Sequence, residues 1–364
     1  MIRVLVIDDS AVMRAFLSRV IGAQPDMQLL GVSPDPLLAF DRIRRGAPDV
    51  ITLDVEMPRM NGLDFLRTLM VARPLPVVMI SSLTSEGAEA TVRALELGAV
   101  DFFPKPARFD QLEDGAQEIA DKIRAAAGAR MMRARRPPPA SNFGALAPRA
   151  SNFGALAPLG GAKAPPPVGA IGGAASARVI VIGASTGGVE ALRDVLGGLP
   201  AAMPPILIAQ HMPPGFTETF ARRLDSLCRL SVKQAEDGDV VRAGCAYIAP
   251  GGRHLELARS RTGLVLRVTD DPPVNRHRPS VDTLFRSVTR TAGRNAIGVM
   301  LTGMGGDGAE AMLEMRQAGA HTIAQDEASC VVFGMPRQAI ALGGACEVAA
   351  LGDIAQRLQA LVLA

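Results

Sequence analysis

Two short apolar runs break off in the same abrupt way, and they limit what this chain can fold into more than any other feature. IRVLVI at 2–7 stops at Asp8 and Asp9, and VIVI at 179–182 stops at GASTGG. A run that is apolar throughout reads as a strand buried on both faces, as in a parallel sheet covered by helices. After each run the pattern changes to a helical period, and the alternation continues down both halves. In the first 125 residues IRVLVI, DVITLDV, PVVMIS and AVDFF alternate with amphipathic stretches such as EGAEATVRALELG at 86–98. In the second half RVIVIGAS, PPILIAQH, CAYIAP and NAIGVMLTG alternate with GVEALRDVL, SVDTLFRSVTR and DGAEAMLEMRQAG, while HLELARSRTGLVLRV reads as an inserted hairpin. The expected class is α/β, with a doubly wound parallel sheet in each half.

Between the halves the periodicity stops. Residues 126–176 are rich in Pro, Gly and Ala and carry ASNFGALAP twice, at 140–148 and 150–158. Two copies do not make a solenoid, and the composition is that of a semi-extended spacer. Domains are therefore expected at 1–125 and 177–364. The basic character of the chain belongs to the same region. Nine Lys and Arg and no acidic residue lie between Lys122 and Val189, and setting them aside takes the formal net charge from +3 to −6. A nucleic-acid surface is not expected from such a balance, nor from a chain with no Trp and a single Tyr. Cys228, Cys245, Cys330 and Cys346 show no CxxC spacing and read as reduced, mostly buried thiols. Two carboxylates after a six-residue apolar run are not a signal peptide, and no stretch has the length and apolarity of a membrane span. The expectation is a cytoplasmic protein, monomeric, with no direct membrane insertion.

In a parallel sheet functional side chains collect where strands end, at the carboxyl edge. In the first half that rule gathers Asp8, Asp9, Asp54, Ser81, Ser82 and Lys105. Three converging carboxylates repel one another unless a cation sits among them, and an all-oxygen donor set suits Mg²⁺. A lysine and a hydroxyl at neighbouring strand ends can hold phosphoryl oxygens. Each piece alone is equally a helix cap or a turn.

In the second half, GASTGG lacks the second glycine of a dinucleotide fingerprint and the lysine of a P-loop. It matches G-x-S-x-G, a sharp turn that exposes a serine hydroxyl, and equally a plain glycine-rich βα turn. A serine nucleophile needs a base, and the base an orienting acid. His211 ends the run ILIAQH at the same edge as Ser185. His254 opens the hairpin and reads as an ordinary strand-start residue. His277 sits among arginines in NRHRPS, read as a solvated loop, and His321 starts a strand at the opposite edge. For the acid, Asp307 follows NAIGVMLTG in a second glycine-rich turn, where a helix N-cap is the alternative role. The order Ser…His…Asp differs from that of α/β-hydrolases.

IDDS, LDVEMPRMNG, ISS and PKP together resemble the receiver domain of response regulators, a flavodoxin-like fold. GASTGG, QHMPPGFT, YIAPGGRHL and LTGMGGDGAEA resemble the catalytic domain of the chemotaxis protein-glutamate methylesterases, the CheB family. The first resemblance implies phosphorylation at Asp54. It also implies Mg²⁺ held by Asp9, Asp54 and the carbonyl of Glu56 with Asp8 in support, Lys105 as the phosphate-sensing amine, and Ser81 as switch hydroxyl with Ser82 as the alternative. A cis bond from Lys105 to Pro106 goes with it. The second implies Ser185, His211 and Asp307 as a triad and backbone amides of Thr186 and Met304 as the oxyanion hole, with no cofactor for ester hydrolysis. The implied activity is hydrolysis of glutamate methyl esters, and deamidation of glutamines, on methyl-accepting chemotaxis receptors, with a chemotaxis histidine kinase as phosphodonor.

Overall fold

The structure, a computed structural model, describes residues 1–105, 115–130, 178–261 and 263–363. The duplicated ASNFGALAP and the Lys105–Pro106 bond lie outside the described residues. The first half runs β1(Ile2–Ile7), α1(Ala11–Gly22), β2(Met27–Ser33), α2(Pro36–Arg45), β3(Val50–Asp54), α3(Gly62–Ala72), β4(Val77–Ser81), α4(Ser85–Glu96), β5(Asp101–Pro104) and α5(Ala116–Ala127). Its strands pair in parallel in the order β2-β1-β3-β4-β5. The order reverses direction between β1 and β3, so Asp8, Asp9 and Asp54 leave the sheet on either side of the crevice where ligands of such sheets bind. The helices follow from pattern and caps. In α1 the buried residues Met13, Phe16, Leu17, Val20 and Ile21 fall on one face, and the Ser10 hydroxyl accepts from Met13 N to start it.

The second half starts with β6(Val179–Ala184), α6(Gly188–Gly197), β7(Ile206–Gln210), α7(Phe216–Leu227), β8(Ser231–Gln234) and β9(Cys245–Ile248). The antiparallel hairpin β10(His254–Ser260)–β11(Gly263–Thr269) follows, as the pattern predicts. Then come α8(Val281–Ala292), β12(Ala296–Met300), α9(Ala309–Gln317), β13(His321–Gln325), α10(Met335–Ala341), β14(Glu347–Ala349) and α11(Leu351–Leu363). The seven-stranded sheet has the order β14-β13-β12-β6-β7-β9-β8, with all strands parallel. Its direction reverses between β6 and β12, the strands that carry Ser185 and Asp307 on their following turns. β7, on the other flank of β6, carries His211.

The two halves share a core. Leu95, Ala99 and Phe102 belong to the same buried cluster as Val189, Met212 and Phe216, and the Phe102 and Phe216 rings lie 4.7 Å apart. Among the described residues no helix is long and apolar enough to cross a membrane. Cys228 and Cys330 are buried, whereas Cys245 is half-buried and Cys346 exposed, fewer buried thiols than composition suggests.

Candidate active site

The turn after β6 is tied down on three sides. Ser185 N donates to Thr302 O at 3.1 Å, which joins it to the turn after β12. The Gln210 amide nitrogen donates to the carbonyls of both Ser185 (2.9 Å) and His211 (3.2 Å), so one side chain spaces the two residues. Thr302 Oγ1 donates to Thr186 O at 3.0 Å. The turn then passes through Gly187 at φ +78°, where a β-carbon would stand 2.6 Å from Val331 Cβ. Only glycine fits that conformation and that space.

His211 Nε2 and Asp307 Oδ2 are 2.8 Å apart. Asp307 does not cap α9, whose N-cap is Gly308; it faces the start of α8. Gly308, at φ +88°, would put a β-carbon 2.3 Å from Val281 Cγ1, so the glycine lets the turn close on that helix. Asp307 accepts from Ser280 Oγ (2.8 Å), Val281 N (2.6 Å), Asn275 Nδ2 (2.9 Å) and, more weakly, Asp282 N (3.4 Å). Burial alone would raise the carboxyl. The His211 hydrogen bond and charge, with the Asn275 amide and Val281 N–H, outweigh it and hold Asp307 well below the usual carboxylate range. Its position at a helix N-terminus adds to the same preference for the anion. With Nε2 engaged, the nitrogen left to act is His211 Nδ1, which is buried and without a partner among the described residues, Ser185 included. A resting site need not carry that last hydrogen bond already formed.

The expected oxyanion residues sit beside the serine. Thr186 follows it, and Met304 follows Gly303, whose β-carbon, if present, would lie 2.8 Å from Ser185 Cβ. Among the described residues the Thr186 and Met304 amides donate to no protein acceptor.

Several residues around the triad carry no signal in the sequence pattern. His277 is not in a solvated loop: its ring stacks on His211 with centroids 3.7 Å apart and planes 12° from parallel. His254 is fully buried; its Nδ1 accepts from Ser280 N (3.2 Å) and its Nε2 faces Pro272 O (3.1 Å), which seats the serine that bonds Asp307. From the first half, Asp101 Oδ2 accepts from Thr186 Oγ1 at 2.5 Å, while its Oδ1 takes Lys122 Nζ at 2.9 Å. Arg223–Glu96 and Arg130–Glu327 ion pairs flank this contact.

In the first half Asp8, Asp9 and Asp54 bring carboxylate oxygens within 4.8 Å of one another. Lys105 Nζ reaches Asp54 Oδ2 at 2.7 Å and Asp8 Oδ2 at 3.5 Å, and Asp8 Oδ2 is buried without a hydrogen-bond partner. Burial and then the neighbouring Asp8 push Asp54 up to about 7 against the pull of Lys105. An orphaned oxygen and a carboxylate held in its costly form are what a divalent cation would relieve, so the donor set fits Mg²⁺. Glu56 N bonds Asp54 Oδ1 at 3.3 Å, and its side chain takes Ser82 Oγ at 2.9 Å. Ser81, fully buried, donates to Gly87 O at 3.0 Å.

A model of the CheB methylesterase family matches residues 180–358, and one of the response regulator receiver domain matches residues 4–117. A protein-glutamate methylesterase/protein-glutamine glutaminase of Paraburkholderia xenovorans is 55% identical over 361 residues, 99% of this chain and 96% of its own. This chain belongs to the CheB family. A CheB relative of the same description from Chromohalobacter salexigens is 56% identical over 97% of this chain and 94% of its own. The crystal structure of the Thermotoga maritima CheB methylesterase catalytic domain aligns with a TM-score of 0.51 at 41% identity, covering 52% of this chain and all of that one. The CheB assignment accounts for both sheets: a receiver ahead of a methylesterase domain, each with its polar residues at the carboxyl edge.

Proposed function

We propose that this chain is a phosphorylation-regulated serine esterase that hydrolyses glutamate methyl esters, and deamidates glutamines, on methyl-accepting chemotaxis receptors. The observation that carries the reading is His211, bound to Asp307 through one nitrogen and bare at the other, with the turn that bears Ser185 tied by Gln210 to His211 at the direction reversal of the second sheet. Ser185 Oγ attacks the γ-carbonyl as its proton passes to His211 Nδ1. Asp307 keeps the Nε2 proton in place and offsets the imidazolium charge. The Thr186 and Met304 amides take up the oxyanion. Collapse expels methoxide, which leaves as methanol with the proton from His211, or ammonia from a glutamine. Water then attacks the acyl-enzyme by the same route, giving glutamate and free Ser185.

Control rests on the receiver. Asp54 accepts the phosphoryl group from a chemotaxis histidine kinase, and Lys105 and Ser81 sense it. Asp9, Asp54 and the Glu56 carbonyl, with Asp8 in support, would hold the Mg²⁺ that neutralises charge there when bound. The unphosphorylated receiver covers the cleft: Asp101 holds Thr186, and Phe102 packs on Phe216. Phosphorylation weakens that packing and admits the receptor.

The test is methanol release from methylated receptor, with and without a small phosphodonor and Mg²⁺, with Ser185→Ala as control. Release that rises with phosphodonor and vanishes in the variant is expected. Folded protein that releases none from cognate receptor would leave a receptor-binding module in place of an esterase.

A further inference from the structure

The turn at 274–277 stands out on conformational grounds. Val274 and His277 exchange backbone hydrogen bonds in both directions, at 3.1 and 2.8 Å. The two residues between them, Asn275 (φ +51°) and Arg276 (φ +67°), are both left-handed. This geometry is usually given to glycine at the second central position, and an arginine adopts it only at a steric cost. Strain of this kind persists where the surroundings need the result. Here two residues of the turn reach the two members of the His211–Asp307 pair. The Asn275 amide bridges Asp307 Oδ1 (2.9 Å) and Asp282 Oδ2 (2.7 Å), and the His277 ring lies flat on His211.

We propose that His277 is a positioning residue for the esterase reaction: its ring clamps the imidazole of His211 so that Nδ1 is held toward Ser185 throughout the cycle. The proposal rests on the triad reading above and adds a residue to it. His211 is fixed within its own plane by Asp307 at Nε2, but one hydrogen bond leaves rotation about that contact open. A parallel ring at 3.7 Å closes it, because any tilt of His211 would collide with His277. The clamp must not compete for the proton it helps to transfer. Burial, then the neighbouring His211, and further Lys122 and Arg276, against the pull of Asp307, push His277 down to about 3, so it stays neutral while His211 cycles.

The experiment uses the full chain with Mg²⁺ and a small phosphodonor in every sample. A fluorophosphonate probe reports on Ser185 without receptor: the Oγ–P bond forms, fluoride leaves and the serine proton passes to His211. His277→Ala and His277→Leu are expected to slow labelling by about tenfold or more, and His277→Phe, which keeps a flat ring, to stay within about threefold of wild type. In methanol release, kcat is expected to fall in step while KM holds. Labelling of the alanine and leucine variants at the wild-type rate would overturn the proposal, as would a phenylalanine variant no faster than leucine. If the alanine variant does not fold, the phenylalanine and leucine variants decide the matter between them. Wild type that labels at Ser185 yet releases no methanol would overturn the substrate assignment and leave the ring comparison standing.

Discussion

Asp54 and Asp307 occupy equivalent places in the two domains. Each leaves a parallel sheet beside the point where the strand order reverses, and each is almost wholly buried. Their surroundings push them in opposite directions. Asp307 is met by an imidazole, an amide, a hydroxyl and the amides at the start of α8, and is held far down as an anion. Asp54 is met by one lysine and one weak N–H, faces a second carboxylate, and is pushed up to about 7. Burial alone therefore says little about what a carboxylate is for. The number of donors aimed at it separates a carboxylate held firmly as an anion from one whose charge is left poorly compensated.

The contrast breaks most visibly by deletion. Asp307→Ala is expected to cut phosphodonor-activated methanol release by about 10³–10⁴-fold, because His211 loses the acceptor that sets its tautomer. It should also cost about 3 kcal/mol in urea unfolding by leaving Ser280, Val281 and Asn275 without an acceptor. Asp54→Asn should leave basal release unchanged and abolish only the response to phosphodonor. If both variants lost basal activity alike, the contrast would collapse.

The pH dependence of stability should have opposite signs. A depressed acid stabilises the fold above its unfolded pKa of about 4 and loses that contribution as pH falls. The gap between wild type and Asp307→Asn should thus be full at pH 7 and close below about pH 4. For Asp54, raised to about 7, the folded state keeps the proton that the unfolded state has lost. Wild type should then match Asp54→Asn near pH 4, fall behind it progressively as pH rises from about 4 to about 7, and stay behind by about 1–3 kcal/mol above that without Mg²⁺. Urea titrations across that range measure both gaps.

Asp101, a third buried carboxylate, is paired with Lys122 and bound to Thr186. Asp101→Ala should raise basal methanol release without phosphodonor by about tenfold, the worth of one interdomain hydrogen bond. The smallest effect sharpens the Asp54 side alone. Millimolar Mg²⁺ should raise the melting temperature of wild type by roughly 2–5 °C and leave Asp54→Asn where it was.

What the sequence made legible follows from the same physics. Ser185, His211 and Asp307 each come just after a buried apolar run, so the carboxyl-edge rule brings them together without coordinates. The central strands are unbroken apolar runs for the same reason. β2, β8 and β14 drew no comparable run because each is an edge strand with partly exposed residues; half of what marks a buried strand is missing there. His277 and Asn275 were illegible because neither a helical nor a strand period runs through NRHRPS. Nothing in an Asn-Arg pair announces two left-handed residues in a row. Asp101 reads as part of the run AVDFF, and its contact with Thr186 spans 85 positions, a distance no local pattern covers.

β5 is only four residues long, roughly 13 Å from end to end, and it has different business at its two ends. Beyond its last residue Lys105 reaches Asp54, and at its first Asp101 grips Thr186. Extended backbone is nearly inextensible, so a shift imposed at Lys105 would be carried along the strand to the Asp101–Thr186 contact. Such a coupling would need no relay of intervening side chains. The grip on Thr186 spans 2.5 Å, and a stroke of about 1 Å is enough to open it. The contact beside the Ser185 turn would thus yield to a travel shorter than a carbon–carbon bond.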